Sequence, residues 1–261
     1  PSIGKNLSKF ITKYPIADIH TPVEKILEIY SHNENIEGII IVDNLKYKGF
    51  LSARSLLKVL NEKNVAIARD QNPLTKLPGN TLIHRYISES LHDAESEYAF
   101  VYFDLDNFKP FNDTYGFRRG DRVILLFAEL LRTWTQNGKF AGHIGGDDFF
   151  MGTQGLELEK VYELVFRITK QFQNDVESFY DPEAIEKGYI TAKARDGNIK
   201  TFPLLTVSAV ILYLPPNRTF VHSSENISSI IAKNKKIAKN SSEKICIINI
   251  GDSDNFSNVT N

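Results

Sequence analysis

Sulfur and tryptophan are scarce in this chain, which carries one cysteine, one methionine and one tryptophan among 261 residues. A lone thiol excludes an internal disulfide framework and fits a reducing cytoplasm. Cys246 lies in the apolar run Ile245 to Ile250, so it reads as a buried structural thiol and not as a nucleophile. No apolar stretch approaches the ~20 residues that span a bilayer, and no secretory signal pattern opens the chain. A membrane segment is therefore not expected within this sequence. Charge of one sign is not in excess either: 31 basic and 32 acidic residues leave a net charge of −1. That balance argues against a protein dedicated to nucleic acid, which usually carries a basic surplus. The sequence has no internal repeat and no low-complexity tract. It begins at Pro1 and its methionine is Met151, so a piece of a longer protein is expected, with room for membrane or sensor segments upstream.

What is present is a 42% hydrophobic content, enough for a packed core, and a length that suits one large domain or an ordinary one plus a smaller module. Two acidic segments stand out. Tyr102 to Gly120 reads YFDLDNFKPFNDTYGFRRG, and His143-Ile144-Gly145-Gly146-Asp147-Asp148-Phe149 follows it. Each ends a strand-type apolar run, Tyr98 to Phe103 or Phe140 to Ile144, in carboxylates. Two adjacent strands ending this way can hold a divalent metal between them. Hard oxygen donors suit Mg²⁺, especially when the phosphates of a nucleotide complete the shell. In a strand, Asp104 and Asp106 point to one side, while Asp106 also reads as a helix N-cap ahead of Phe108. Gly145-Gly146 reads as a tight hairpin turn presenting Asp147 and Asp148 beside Asp104. Asn107-Phe108-Lys109 opens a helix whose free N–H groups and positive dipole end suit a triphosphate.

Residues 1–70 read as a separate small α/β unit. Thr21-Pro22-Val23-Glu24 has the form of a capping box, with Thr21 as N-cap and Pro22 at the first helical position. Ile26, Leu27 and Tyr30 supply its apolar stripe. Strands are expected at Ile36 to Val42 and Tyr47 to Leu51, with Asp43-Asn44 as turn residues. Ser52 then caps a helix running through Arg69 to the break at Asn72-Pro73. Beyond it the expected order is helix 79–93, strand 97–104, short helix 107–113, helix 119–136, strand 139–144, strand 148–152 and helix 156–178. A hairpin with an Asp196-Gly197 turn and a strand occupy 188–213, before helix 225–240 and strand 244–250. Residues 252–261 read as a flexible polar tail. The expected fold is α/β (α+β), a mixed sheet with helices packed on it in residues 71–251.

Asn72-Pro73-Leu74-Thr75-Lys76-Leu77-Pro78-Gly79-Asn80, both acidic segments and Ala238-Lys239 occur in the order of the GGDEF domain, the diguanylate cyclase module of bacterial signalling, which the chain resembles over roughly two-thirds of its length. The resemblance implies a palm-like sheet related to polymerases and class III nucleotide cyclases. It also implies Mg²⁺ (or Mn²⁺) held by Asp104, the Leu105 carbonyl, Asp147 and Asp148, with Asp147 and Asp148 as catalytic carboxylates. GTP would meet Asn107, Phe108, Lys109 and Lys239 through its phosphates and Asn112 and Asp121 through guanine. Helix capping by Asn112 and a dipole contact by Asp121 are the plain alternatives. Of Lys233, Lys235, Lys236 and Lys239, only Lys239 is expected at the site, the others forming a solvated face. The resemblance further implies condensation of two GTP to cyclic di-GMP in a homodimer.

Departures from the pattern are equally visible. The turn reads GGDDF, so Asp148 stands one methylene short of the usual glutamate; Val210 replaces a strand glycine. Glu243 occupies the place of a phosphate-binding arginine, and Gln136 and Lys139 replace the product-inhibition motif. These departures keep open a second reading, a degenerate domain that binds GTP and regulates an upstream phosphodiesterase. Gly49-Phe50-Leu51-Ser52 followed by Leu56-Leu57 resembles half of a CBS pair, a module type that commonly binds adenosine nucleotides. With the join at Arg69 to Asn80, this resembles bacterial proteins with the order EAL, CBS, GGDEF.

Overall fold

The computed structural model of the chain describes residues 13–32, 36–136, 138–193, 197–218, 224–250 and 257–258. It divides into two compact units, Pro1–Arg69 and Asp70–Asn261. In the first, β1 (Ile16–Asp18) pairs parallel with β2 (Gly38–Asp43), which pairs antiparallel with β3 (Lys46–Ser52). The helices are α1 (Val23–Ser31) and α2 (Ala53–Asp70). Ala17, Ile26, Ile39 and Leu56 form the buried core of this unit. The Ser52 hydroxyl accepts the Ser55 amide at 3.1 Å, as a cap for α2 should. The capping box expected at α1 does not form. Pro22, at φ −56° and the extended ψ of 145°, holds the N-cap position without a side-chain bond, so the helix starts one residue too late for Thr21 to cap it. Asn44 and Leu45, both at positive φ, make the β2–β3 turn.

The second unit runs α3 (Asn80–His92), β4 (Tyr98–Asp106), α4 (Phe108–Tyr115), α5 (Phe117–Trp134), β5 (Phe140–Gly145), β6 (Asp148–Gln154) and α6 (Leu158–Val176). It continues through α7 (Pro182–Lys187), β7 (Tyr189–Lys193), β8 (Ile199–Pro203), β9 (Thr206–Leu214), α8 (Ser224–Asn240), β10 (Ile245–Asn249) and β11 (Ser257–Asn258). The main sheet has the order β11-β10-β9-β4-β6-β5, and β7 and β8 form a separate hairpin. Within this main sheet, among the described residues, only β9 and β10 are parallel neighbours, joined through α8. The Asp196 position of the expected hairpin turn lies outside the described residues, as does most of the tail. Within that tail, Ser257–Asn258 pairs antiparallel with β10 instead of hanging free.

Strand alternation decides which side chains meet which helices. In β4, Ala99, Val101, Phe103 and Leu105 face a core built with α5 and α6. Tyr98 and Phe100 face the opposite core, built with α3 and α8. Residues of one parity therefore belong to one layer, and helices cover both faces of the sheet. Phe100, Phe103, Phe111, Phe127, Phe149, Phe150 and Phe172 are fully buried, each worth roughly 1.5–3 kcal/mol relative to exposure. Val210, in place of the glycine of the resembling pattern, is buried in the α3–α8 core. Gly152 is required on the same layer: a Cβ there would lie 2.1 Å from Cε1 of Tyr86, whose ring stacks on Phe140.

Candidate functional site

Even-numbered positions of β4 carry the acids, so they emerge on the α8 side of the sheet. Asp104 stands in register with Asp148 of β6 on one flank and Ser208 of β9 on the other. Asp106 stands in register with Thr206. Cross-strand partners point to the same face, and α8 passes over that face with its lysines. Lys235 Nζ bonds Asp148 Oδ1 and lies 3.5 Å from Asp104 Oδ2. Lys239 Nζ bonds Asp104 Oδ1 and lies 3.5 Å from Asp106 Oδ1. Lys235 was assigned by the sequence to a solvated face; instead it bridges two of the expected metal ligands. The i, i+4 spacing of Lys235 and Lys239, which puts both on one helix face, was the signal for it.

Asp106 is neither a helix cap nor part of the open site. Asn107, in the left-handed region at φ 61°, takes the N-cap position of α4 and makes no side-chain cap bond. The Asp106 carboxylate accepts from Thr206 Oγ1 at 3.0 Å and Ser208 Oγ at 3.2 Å. Lys244 Nζ lies 3.3 Å from Oδ2, the oxygen that accepts from Thr206. With its side chain only 6% exposed, Asp106 ties the ends of β4, β9 and α8 together.

The β5–β6 turn centres on Gly146 and Asp147, with Gly145 paired to Asp148. Gly145 at φ 149° and Gly146 at φ 58° both use glycine's freedom. The turn is held from two sides. The Asp147 carbonyl accepts from the Leu105 amide at 3.1 Å. His143, buried and stacked on Phe149, reaches the Gly146 carbonyl through Nε2 at 3.1 Å and Thr75 Oγ1 through Nδ1 at 3.1 Å. A carbonyl only accepts, so Nε2 carries the proton and Nδ1 accepts from the Thr75 hydroxyl. Burial depresses the His143 pKa, which keeps this neutral tautomer. Its role is to brace the turn.

Asp147 itself is half-buried. Burial raises its carboxyl above the ordinary value; the charges of Asp104 and Asp148 add to this, while its own backbone N–H and Lys239 oppose it. Lys239 is raised: burial works against its charge, but the bond to Asp104 and the charges of Asp104 and Asp106 outweigh it.

Asp147 and Lys239 open onto a cleft of ≈270 Å³ that also takes in Leu105, Asn107, Phe108, Lys109 and Asp113. Lys193 of β7 and Phe202 of β8 close its far wall; neither was anticipated from the sequence. Asn112 lies at the α4–α5 junction, its Oδ1 buried with no hydrogen-bond partner. The bare Cα of Gly120 makes room for it, since a Cβ there would sit 1.8 Å from that oxygen. Asp121 is exposed in the second turn of α5, and neither it nor Asn112 lines the cleft.

The donors at the turn are carboxylates and carbonyls, the hard oxygen set that magnesium or manganese takes. Among the described residues, however, no group of three or more His, Cys, Asp or Glu side chains is arranged to hold a metal ion. Two of the acids, Asp104 and Asp148, are already paired with Lys235 and Lys239. No helix among the described residues is long and apolar enough to cross a membrane.

Comparison with known proteins agrees with this geometry. Residues 69–196 match the family model described as diguanylate cyclase, GGDEF domain. Diguanylate cyclase DgcP of Escherichia coli (strain K12) is 29% identical over 141 residues, covering 50% of this chain and 41% of that protein. Diguanylate cyclase DgcZ of the same organism is 26% identical over 165 residues, covering 63% of this chain and 54% of that protein. The chain thus spans about half or less of the length of these relatives. The crystal structure of the GGDEF domain of DgcB from Caulobacter crescentus, in complex with c-di-GMP, matches with a TM-score of 0.51 at 21% identity. That match covers 68% of this chain and 95% of the other and shows the shared palm-like mixed sheet. Residues 69–196 of this chain are a GGDEF domain.

Proposed function

We propose that the chain is a diguanylate cyclase, condensing two GTP into cyclic di-GMP with release of two pyrophosphates. The observation that carries this reading is the placement of Asp147, flanked by Asp104 and Asp148, at the mouth of a cleft that also presents Lys109 and Lys239. In each of two symmetric steps the 3′-hydroxyl of one nucleotide forms a bond to the α-phosphorus of the other. The bond to the β-phosphate breaks, pyrophosphate leaves, and the hydroxyl proton passes to the Asp147 carboxylate or to water. Because each cleft suits one nucleotide, the active form is a homodimer with its sites facing one another.

Residue roles follow from position. Lys109, the α4 N-terminus at Asn107 and Phe108, and Lys239 bind the phosphates. Asn112 has an acceptor oxygen with no partner, and a rotation of its amide that meets a guanine donor would satisfy it. With Asp121 on α5 as its expected partner, Asn112 would favour guanine over adenine, which would leave this buried acceptor unpaired. Asp104, Asp147, Asp148 and the Leu105 carbonyl would hold Mg²⁺ or Mn²⁺. When bound, such an ion neutralises phosphate charge and makes the 3′-hydroxyl more acidic.

A second reading has its own observation. Lys235 bridges Asp104 and Asp148, and Asp148 is one methylene shorter than the glutamate of the resembling pattern. A domain so neutralised fits a GTP-binding regulator of an upstream EAL phosphodiesterase. The first unit fits regulation under either reading: its helix, two antiparallel strands and helix resemble half a CBS pair, with adenosine nucleotides as the ligand class to test.

One sample separates the readings. The purified chain is incubated with GTP and Mg²⁺, with product followed by chromatography and GTP affinity by titration, against an Asp104→Ala control. Product lost in the control supports the cyclase. GTP binding without product supports the regulator, and absence of GTP binding overturns both.

A further inference from the structure

The cleft has a cation that the GGDEF pattern does not supply. Glu243 stands where a second phosphate-binding residue would be expected, and the structure turns it away: its carboxylate accepts from the Tyr162 hydroxyl and it does not line the cleft. Lys193 faces the cleft from the opposite side, at the end of β7. Its position is fixed by the hairpin. β7 and β8 pair over five positions, from Tyr189 with Pro203 to Lys193 with Ile199. The Pro203 carbonyl at the base of that hairpin accepts from Asn107 Nδ2 at 3.3 Å. One bond thus anchors the hairpin to the residue that begins α4, the helix whose N-terminus faces the same cleft.

Lys239 is already engaged by Asp104 and Asp106. Lys193, by contrast, pairs with no carboxylate among the described residues, so its ammonium can serve an incoming anion without first breaking an ion pair. Phe202, which also lines the cleft, gives it an apolar wall, which strengthens charge interactions by excluding water.

We propose that Lys193 is a phosphate-binding residue of this site, a further cation beside Lys109 and Lys239 for the polyphosphate chain of the nucleotide, delivered by the β7–β8 hairpin in place of the position held by Glu243. This rests on the reading that the cleft takes GTP. A lysine here acts as a point charge on a long stem, suited to the mobile end of a triphosphate.

The test is calorimetric titration of the full chain with GTP and, separately, with GMP, in the presence of Mg²⁺. Lys193→Ala should weaken GTP binding roughly five- to tenfold, as for loss of one charge-assisted contact at a partly solvated site. GMP affinity should stay within about twofold, because GMP lacks the phosphates beyond the first. Lys193→Arg should retain GTP affinity within about threefold, and the Lys193→Ala deficit should shrink as salt is raised. Unchanged GTP affinity in Lys193→Ala overturns this inference alone, leaving the cyclase reading intact. Equal losses for GTP and GMP would also overturn it, since a phosphate-end contact cannot act on both. A wild-type chain without GTP affinity overturns the proposed function and this inference together.

Discussion

Replacing Asp106 by alanine probes the claim that this acid is a structural anchor and not a member of the open site. Its carboxylate is nearly fully buried, accepts from two hydroxyls at 3.0 and 3.2 Å, and faces Lys239 at 3.5 Å and Lys244 at 3.3 Å. Removing one partner of a buried ion pair costs about 3–5 kcal/mol. Lys239 and Lys244 are 41% and 34% exposed and can turn toward water, so the low end, ~3 kcal/mol, is expected. For a unit of this size that corresponds to roughly 6–12 °C in Tm. Trp134, the chain's single tryptophan, packs on the core of the second unit, so its fluorescence in urea reports on the relevant unit without interference from the first. The expected result is a lower midpoint at unchanged slope. A loss below about 1 kcal/mol would refute the anchoring role and return Asp106 to the site.

Two further outcomes follow from the site. Because His143 is depressed by burial, the unfolded chain binds its proton more readily than the folded one; its contribution is present above about pH 6.5 and is lost as pH falls. His143→Gln should therefore show a shallower loss of stability than wild type between about pH 6.5 and 5, measured by urea midpoints, and parallel curves would contradict this. Lys235→Met removes the cation bridging Asp104 and Asp148 and should tighten Mn²⁺ binding about tenfold, read by the loss of free-ion electron spin resonance signal; unchanged affinity would mean that the bridge does not compete with a divalent ion.

Much of this was legible because strand parity is legible. The alternation in Tyr98 to Asp106 was enough to put Asp104 and Asp106 on one side, and the apolar runs with their acidic ends marked β4 and the β5–β6 hairpin. Lys239 was expected at those acids from the resemblance, but adding Lys235 required a packing contact: α8 carries Lys233, Lys235, Lys236 and Lys239 within two turns, and the seating of Ile227, Ile230, Ile231 and Ala238 in the core turns Lys235 inward as well. Lys193 and Phe202 were out of reach for a similar reason, since a hairpin's position over a distant helix is not written in either strand. α7 was readable and went unread: Asp181 caps it by accepting the Ala184 amide, Pro182 opens it and Gly188 closes it at φ 74°. β1, three residues long and paired in parallel across more than twenty positions, offers no local pattern at all.

The most direct test of the central claim is chromatographic detection of cyclic di-GMP after incubating the chain with GTP and Mg²⁺, wild type beside Asp147→Ala. Asp147 sits in a hairpin turn and forms no ion pair among those described, so the variant should keep its fold by circular dichroism. The account predicts product from the wild-type chain and none from the folded variant. Equal product from both, or GTP bound by the wild-type chain and left unconverted, would contradict it.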